Sequence, residues 1–180
     1  MASSSTSTST SHTLNNNNDY VFDVFISHRG PDVKKTLATH LYHRLCKHDL
    51  RVFLDEQELR TGDTVNPQLE SAVRTSSVNI AIFSPNYAES KWCLDELLNM
   101  VDSMSKYKST IIPLFFGVTP AEVRWTQGGK GVYGKALYIL QGKKTFDGQH
   151  RHDSDIIEKW RNALSTVADI KGFDRATYNR

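Results

Sequence analysis

The run Val78-Asn79-Ile80-Ala81-Ile82-Phe83 passes directly into Ser84-Pro85-Asn86-Tyr87-Ala88-Glu89-Ser90-Lys91-Trp92-Cys93-Leu94-Asp95-Glu96-Leu97-Leu98. The first run is short, apolar and rich in β-branched residues, so it reads as a buried strand. The second brings leucines onto one face at helical spacing, so it reads as a helix. A strand feeding a helix across a short turn is the unit of an open α/β sheet, whose ligand crevice lies outside the carboxyl ends of its strands. Glu96 follows Trp92 by one helical turn and shares its face. With Leu94, Leu97, Leu98 and Val101 as the expected inward stripe, Glu96 falls outside the packed row, near the helix start, and is expected to face a cleft.

The same alternation extends to both sides. Tyr20 to Ile26 reads as a buried strand that ends in the turn Ser27-His28-Arg29-Gly30-Pro31. Asp32 is placed to cap a helix in which Leu37, Leu41 and Leu45 recur at one-turn spacing out to about Lys47. Arg51 to Leu54 is a short second strand, followed by the polar loop Asp55 to Asn66. Asn66-Pro67 then resembles an N-cap with proline at the first helical position. Thr110 to Phe116 is a fourth strand, and Pro113 predicts an edge-proximal or bulged position for it. Val132 to Gln141 is helical by pattern, and the loop Gly142 to Asp153 has room for a short fifth strand. Ile156, Trp160, Leu164 and Val167 mark a last amphipathic helix that ends near Gly172. Strands alternating with helices predict right-handed crossovers and a parallel sheet of four to five strands between helical layers. The loops after its strands, Ser27 to Gly30, Asp55 to Val65, Ser84 to Glu96 and Gly117 to Trp125, then gather at one edge.

A chain of 180 residues with 38% apolar content forms one domain, expected over 19–172. Residues 1–18 are almost entirely Ser, Thr and Asn and read as a disordered tail, with 173–180 as a C-terminal tail. The 22 basic and 20 acidic residues leave a formal charge of +2, which gives no support to a nucleic-acid partner. Cys46 and Cys93 have no metal-ligand spacing and read as free thiols in a reducing compartment. The tail has no Arg or Lys for a transit peptide and no apolar core for a signal peptide, and Ala2 is not the glycine that myristoylation needs. No apolar run is long enough to span a bilayer, so a cytoplasmic protein without a membrane partner is expected.

Several familiar chemistries lack their parts. No Gly-x-Gly-x-x-Gly follows the first strand, which removes the main support for hydride transfer. Gly129-Lys130-Gly131-Val132-Tyr133-Gly134-Lys135-Ala136 has the spacing of a phosphate loop, but Ala136 replaces the hydroxyl that holds Mg²⁺ and no strand immediately precedes it. A receiver domain needs an aspartate at the end of the third strand, where this chain has Phe83-Ser84. His40 and His43 lie one turn apart without a third metal ligand at suitable spacing. Cys93 is close to a helix start, where a thiolate is favoured, but its apolar helix suits packing or pocket lining better.

Taken together, the motifs resemble a plant Toll/interleukin-1 receptor (TIR) domain over about residues 20–172. They are Phe22-Asp23-Val24-Phe25-Ile26-Ser27-His28-Arg29-Gly30-Pro31-Asp32, Phe53-Leu54-Asp55 with Leu59 and Gly62, Phe83-Ser84 with Asn86-Tyr87-Ala88 and Ser90, and Trp92-Cys93-Leu94-Asp95-Glu96-Leu97. Pro113 to Phe116, Val123-Arg124, Gly134 to Leu137 and Lys159 to Leu164 continue the pattern in order. The resemblance implies a flavodoxin-like three-layer sandwich, a mobile BB loop at Asp55 to Asn66, and cleavage of NAD⁺. It implies that Glu96, in the Trp-Cys-Leu-x-Glu-Leu run, is catalytic and that NAD⁺ is substrate rather than cofactor. Arg29, Gly30, Asp55, Leu59, Gly62, Trp92 and Cys93 are the expected substrate-binding residues, and Thr39-His40 the expected self-association site. No metal is expected. The sequence departs from the family in three places: His28 stands where plant members commonly have Phe, Pro31 where Glu is usual, and Thr39 where a Ser precedes the His.

These residues suit NAD⁺ chemistry because nicotinamide leaves a cationic pyridinium as a neutral base and needs no proton, so one carboxylate suffices. Arg29 and the helix-start field are expected to keep Glu96 charged, Trp92 to offer a flat face, and Arg29 to meet a phosphate or ribose group. The expected activity is that of an NAD⁺ hydrolase or ADP-ribosyl cyclase in plant innate immunity and cell death. The alternative is a non-catalytic scaffold acting through TIR–TIR contacts. With no ATPase domain or repeat array after Gly172, a TIR-only protein is expected, against a fragment of a larger receptor.

Overall fold

The computed structural model describes residues 20–54, 67–142 and 152–174. β1 (Phe22–His28), β2 (Val52–Leu54), β3 (Ser76–Phe83), β4 (Thr110–Phe115) and β5 (Phe173–Asp174) form one sheet in the order β2-β1-β3-β4-β5. Every neighbouring pair is parallel, with Val24 opposite both Val52 and Val78. The order is that of flavodoxin-like sheets, and the chain leaves β1 in one direction and β3 in the other. The switch point between β1 and β3 is therefore where a crevice opens.

After β1 come α1 (Gly30–Val33), a π-helical segment (Lys34–Ala38) and α2 (Thr39–Cys46). α3 (Pro67–Arg74) precedes β3, and α4 (Lys91–Tyr107) joins β3 to β4. α5 (Pro120–Arg124), α6 (Gly131–Gly142) and α7 (Ser154–Ala168) lie in the connection to β5. Alternation along the strands splits the core in two. Phe25, Ala81, Phe83, Ile111 and Phe115 pack with α3 to α7, whereas Val24, Ile26, Ile80 and Ile82 pack with Val33, Ala38, Leu37 and Leu41. Phe25 and Phe83 are fully buried, and each contributes about 1.5–3 kcal/mol by leaving water.

The expected fold class holds, with local corrections. β1 runs on through Ser27 and His28, read above as turn, because both stay paired to β3 at Ala81 and Ile82. The α4 stripe is turned relative to the expected one: Cys93, Leu94, Glu96, Leu97, Met100 and Ser103 are buried, while Leu98 and Val101 are only partly so. Leucine spacing alone could not register the polar members of that face. β5 lies at Phe173–Asp174, in the stretch read above as C-terminal tail, pairing with Leu114 and Phe115. Pro113 sits beside the start of this two-residue strand, close to the sheet edge as its missing N–H requires. The tail at 1–18, the BB loop at 55–66 and residues 143–151 lie outside the described residues.

Candidate active site

The carboxyl end of β1 and the passage from β3 into α4 meet at the switch point and are joined by side chains. Ser27, the last inward-facing polar residue of β1, shares a 2.8 Å hydrogen bond with the Tyr87 hydroxyl. Tyr87 donates in turn to the Cys93 carbonyl at 3.0 Å, which leaves Ser27 as the donor to Tyr87. Cys93 Sγ reaches back to the His28 carbonyl at 3.5 Å. Burial, and after it the charges of Cys93 and Glu96, push the Tyr87 hydroxyl well above its ordinary range, so it stays a donor.

Asp32 forms a second tie. It is not the N-cap expected from the sequence: Arg29 holds that position without a side-chain cap, and Asp32 lies in the first turn. Its carboxylate accepts from Arg29 at 2.7 Å, from Ser84 and from Asn86 at 3.3 Å. Burial alone would raise this carboxyl, but the Ser84, Asn86 and Arg29 hydrogen bonds outweigh it and hold it below the usual carboxylate range. The passage into α4 is a 3₁₀ turn, Tyr87–Glu89, after which the Ser90 side chain caps α4 by accepting from the Cys93 N–H.

Glu96 lies in the second turn of α4 and is 4% exposed. This corrects the expectation of an open cleft face. It lies beside the Tyr87 hydroxyl and one turn after Cys93, whose carbonyl Tyr87 bonds, on a buried face of α4 whose other members Cys93, Leu97 and Met100 belong to the larger apolar core. Arg29 is half-buried, and its guanidinium is divided between Asp32 and the exposed Glu89, the latter at 3.2 Å. Neither contact is to Glu96. Trp92 is half-buried with the Lys91 ammonium 5.0 Å from its ring centroid, which takes one face of the indole as a cation–π contact. Cys93 is buried with its Sγ on the His28 carbonyl, and Gly30 opens α1 two residues after His28. Asp55, Leu59 and Gly62 lie outside the described residues.

Thr39 and His40 begin α2, away from this cluster on the other side of the sheet. The Thr39 hydroxyl is turned back to the Lys34 carbonyl of its own π segment, whereas His40 is exposed. Among the described residues no group of three or more His, Cys, Asp or Glu is placed to hold a metal ion, and no helix is long and apolar enough to cross a membrane. The sequence reading missed Ser27, Ser84 and Glu89 as site residues and misassigned Asp32. Their signal was the topology itself, because each follows or ends a strand flanking the switch point.

A family model described as TIR domain matches residues 21–179. The chain is 36% identical over 151 residues to TMV resistance protein N of Nicotiana glutinosa, covering 84% of this chain and 12% of that protein. It is 43% identical over 102 residues to the probable 2′ cyclic ADP-D-ribose synthase BdTIR of Brachypodium distachyon, covering 57% of this chain and 44% of that one. It thus spans a small part of the resistance protein and under half of the synthase. Among solved structures it is similar to the TIR domains of the activated Roq1 resistosome that recognises the effector XopQ. That match has a TM-score of 0.74 at 35% identity, covering 88% of this chain and 90% of that one.

Proposed function

The chain belongs to the TIR domain family, and from that we propose that it is an NAD⁺ nucleosidase acting in plant innate immunity and cell death. It breaks the nicotinamide–ribose bond and releases nicotinamide with ADP-ribose, a cyclic ADP-ribose isomer, or both. The similarity to a probable cyclic ADP-ribose synthase supports this reading. The observation that carries it is the Glu96 carboxylate on α4, beside the Tyr87 hydroxyl where β1 and β3 part.

As the glycosidic bond breaks, its electron pair leaves with nicotinamide and positive charge passes to the ribose. An ionised Glu96 stabilises that charge or orients a ribose hydroxyl, most effectively where water is excluded. The carbon left behind is captured by water, giving ADP-ribose, or by a nucleophile of the same molecule, giving the cyclic product. Two supports expected for the Glu96 charge are weakened by the geometry. Arg29 is committed to Asp32 and Glu89, and the helix-start field fades within the first turn, short of Glu96. In this reading a substrate ring stacks on the Trp92 face that Lys91 does not take, and Arg29 reaches a substrate phosphate by exchanging Glu89 for it. Because Glu96 is secluded, substrate has to uncover it, and we place that step in self-association of the chain.

A second reading, a non-catalytic scaffold working through TIR–TIR contacts, is favoured by that same seclusion of Glu96. Purified chain incubated with NAD⁺ separates the two. The nucleosidase releases nicotinamide and its folded Glu96→Ala variant does not, whereas a scaffold releases none in either form at any protein concentration.

A further inference from the structure

Asp32 gathers donors from two segments that the sequence separates by more than fifty residues. Ser84 ends the β3 passage and Asn86 begins the turn that launches α4, while Arg29 comes from Asp32's own turn. The Asp32 side chain is 10% exposed, so these bonds are shielded from competing water. The helical path beyond it is interrupted: Val33 has φ −137° and ψ −1°, and a π segment follows before α2 begins. The one-turn α1 is thus tied by side chains to the α4 launch rather than carried as the regular start of a longer helix.

From Asn86 to the first turn of α4, which Glu96 follows, the path is short and hydrogen-bonded. Glu89 N–H donates to the Asn86 carbonyl at 2.9 Å, and Ser90 N–H to the Tyr87 carbonyl at 3.2 Å. Ser90 then accepts from the Cys93 N–H at its hydroxyl and from the Leu94 N–H at its carbonyl, fixing the turn that precedes Glu96. A shift at Asn86 is therefore transmitted to the start of α4.

We infer that Asp32 is a positioning residue for Glu96, a carboxylate bolt between the β1 loop and the α4 launch that sets where the reacting carboxylate sits. The inference rests on the NAD⁺-cleaving reading above. A displacement of about 1 Å at a reacting group costs on the order of a hundredfold in rate. Asp32→Ala should therefore lower kcat by about ten- to a hundredfold while KM changes by less than about threefold. Asp32→Asn, which keeps one acceptor oxygen, should recover part of that loss. Ser84→Ala should act in the same direction, and the double variant Asp32→Ala/Ser84→Ala should lose no more than Asp32→Ala alone, because both break one tie.

Amide hydrogen exchange on the same variants of the 180-residue chain supplies a readout independent of turnover. Protection at Cys93 and Leu94 should fall while that at Met100 to Tyr107 of α4 is retained. Wild-type kcat in Asp32→Ala with Cys93 and Leu94 still protected overturns the inference, as does exchange that rises uniformly over the sheet. A wild-type chain that turns over no NAD⁺ overturns the proposed function instead, and exchange at Cys93 and Leu94 then judges the bolt by itself.

Discussion

His28 shows what one side chain does to this fold. It is 8% exposed at the end of β1, and neither ring nitrogen has a hydrogen-bond partner among the described residues. Burial first, and the Lys34 charge second, push its pKa from 6.5 down to about 4, so the ring is neutral in the native state. The unfolded chain takes up a proton near pH 6.5 that the native state refuses until about pH 4. Stability is therefore intact above pH 6.5 and declines as pH falls through that window, by about 3 kcal/mol at its foot. Asp23 and Asp32, both held below their ordinary 3.8, lose their contributions only at lower pH. Urea unfolding of wild type and His28→Phe at pH 7, 5.5 and 4.5 should show the decline in wild type and a much flatter profile in the variant. Equal slopes would contradict this account of His28. The site was partly legible at this level. Glu96, Trp92, Cys93 and Arg29 stood out by residue type and motif, but a carboxylate within a leucine-patterned helix carries no mark of its burial, and hydrogen bonds across fifty residues leave no local trace.

The strands and helices were legible wherever apolar periodicity was strong, as in β1, β3, α4 and α7, and were missed where short elements rest on end chemistry. α5 is the clearest case. Thr119 and Glu122 form a reciprocal capping box around Pro120 at the helix start, a Thr-x-x-Glu signature visible in the sequence but overlooked for lack of an apolar stripe. Thr119→Ala should cost about 1 kcal/mol, read as a lowered melting temperature. β5 has only two residues and is set by contact instead of pattern. A Cβ on Gly172 would collide with the Pro113 carbonyl oxygen and come within 2.6 Å of its ring. Gly172→Ala should therefore push β5 off β4 and destabilise the chain by roughly 2 kcal/mol. A variant as stable as wild type, with β5 amides still protected, would show that this close approach does not fix the strand.

The molecule as a whole is lopsided about its sheet. α3 to α7 cover one face, whereas among the described residues only the α1 to α2 stretch packs on the other, where Val78, Ile112, Leu114 and Phe116 stay half-buried. Parallel sheets are stable when both faces are covered, and these four side chains have the thinner cover. If self-association uncovers Glu96, specific activity rises with protein concentration, while activity constant across dilution from a chain that sediments as a monomer contradicts a shared site. The layer order was readable from the alternation of strands and helices, but the unequal cover was not, because it depends on which crossover each helix takes. The proposed NAD⁺ cleavage turns on Glu96, and mass-spectrometric product analysis of NAD⁺ incubated with concentrated wild type and with a folded Glu96→Ala variant tests it most directly. Wild type should give nicotinamide with ADP-ribose or a cyclic isomer, and the variant should lose about a hundredfold or more of that activity. Equal nicotinamide release from both proteins would contradict it.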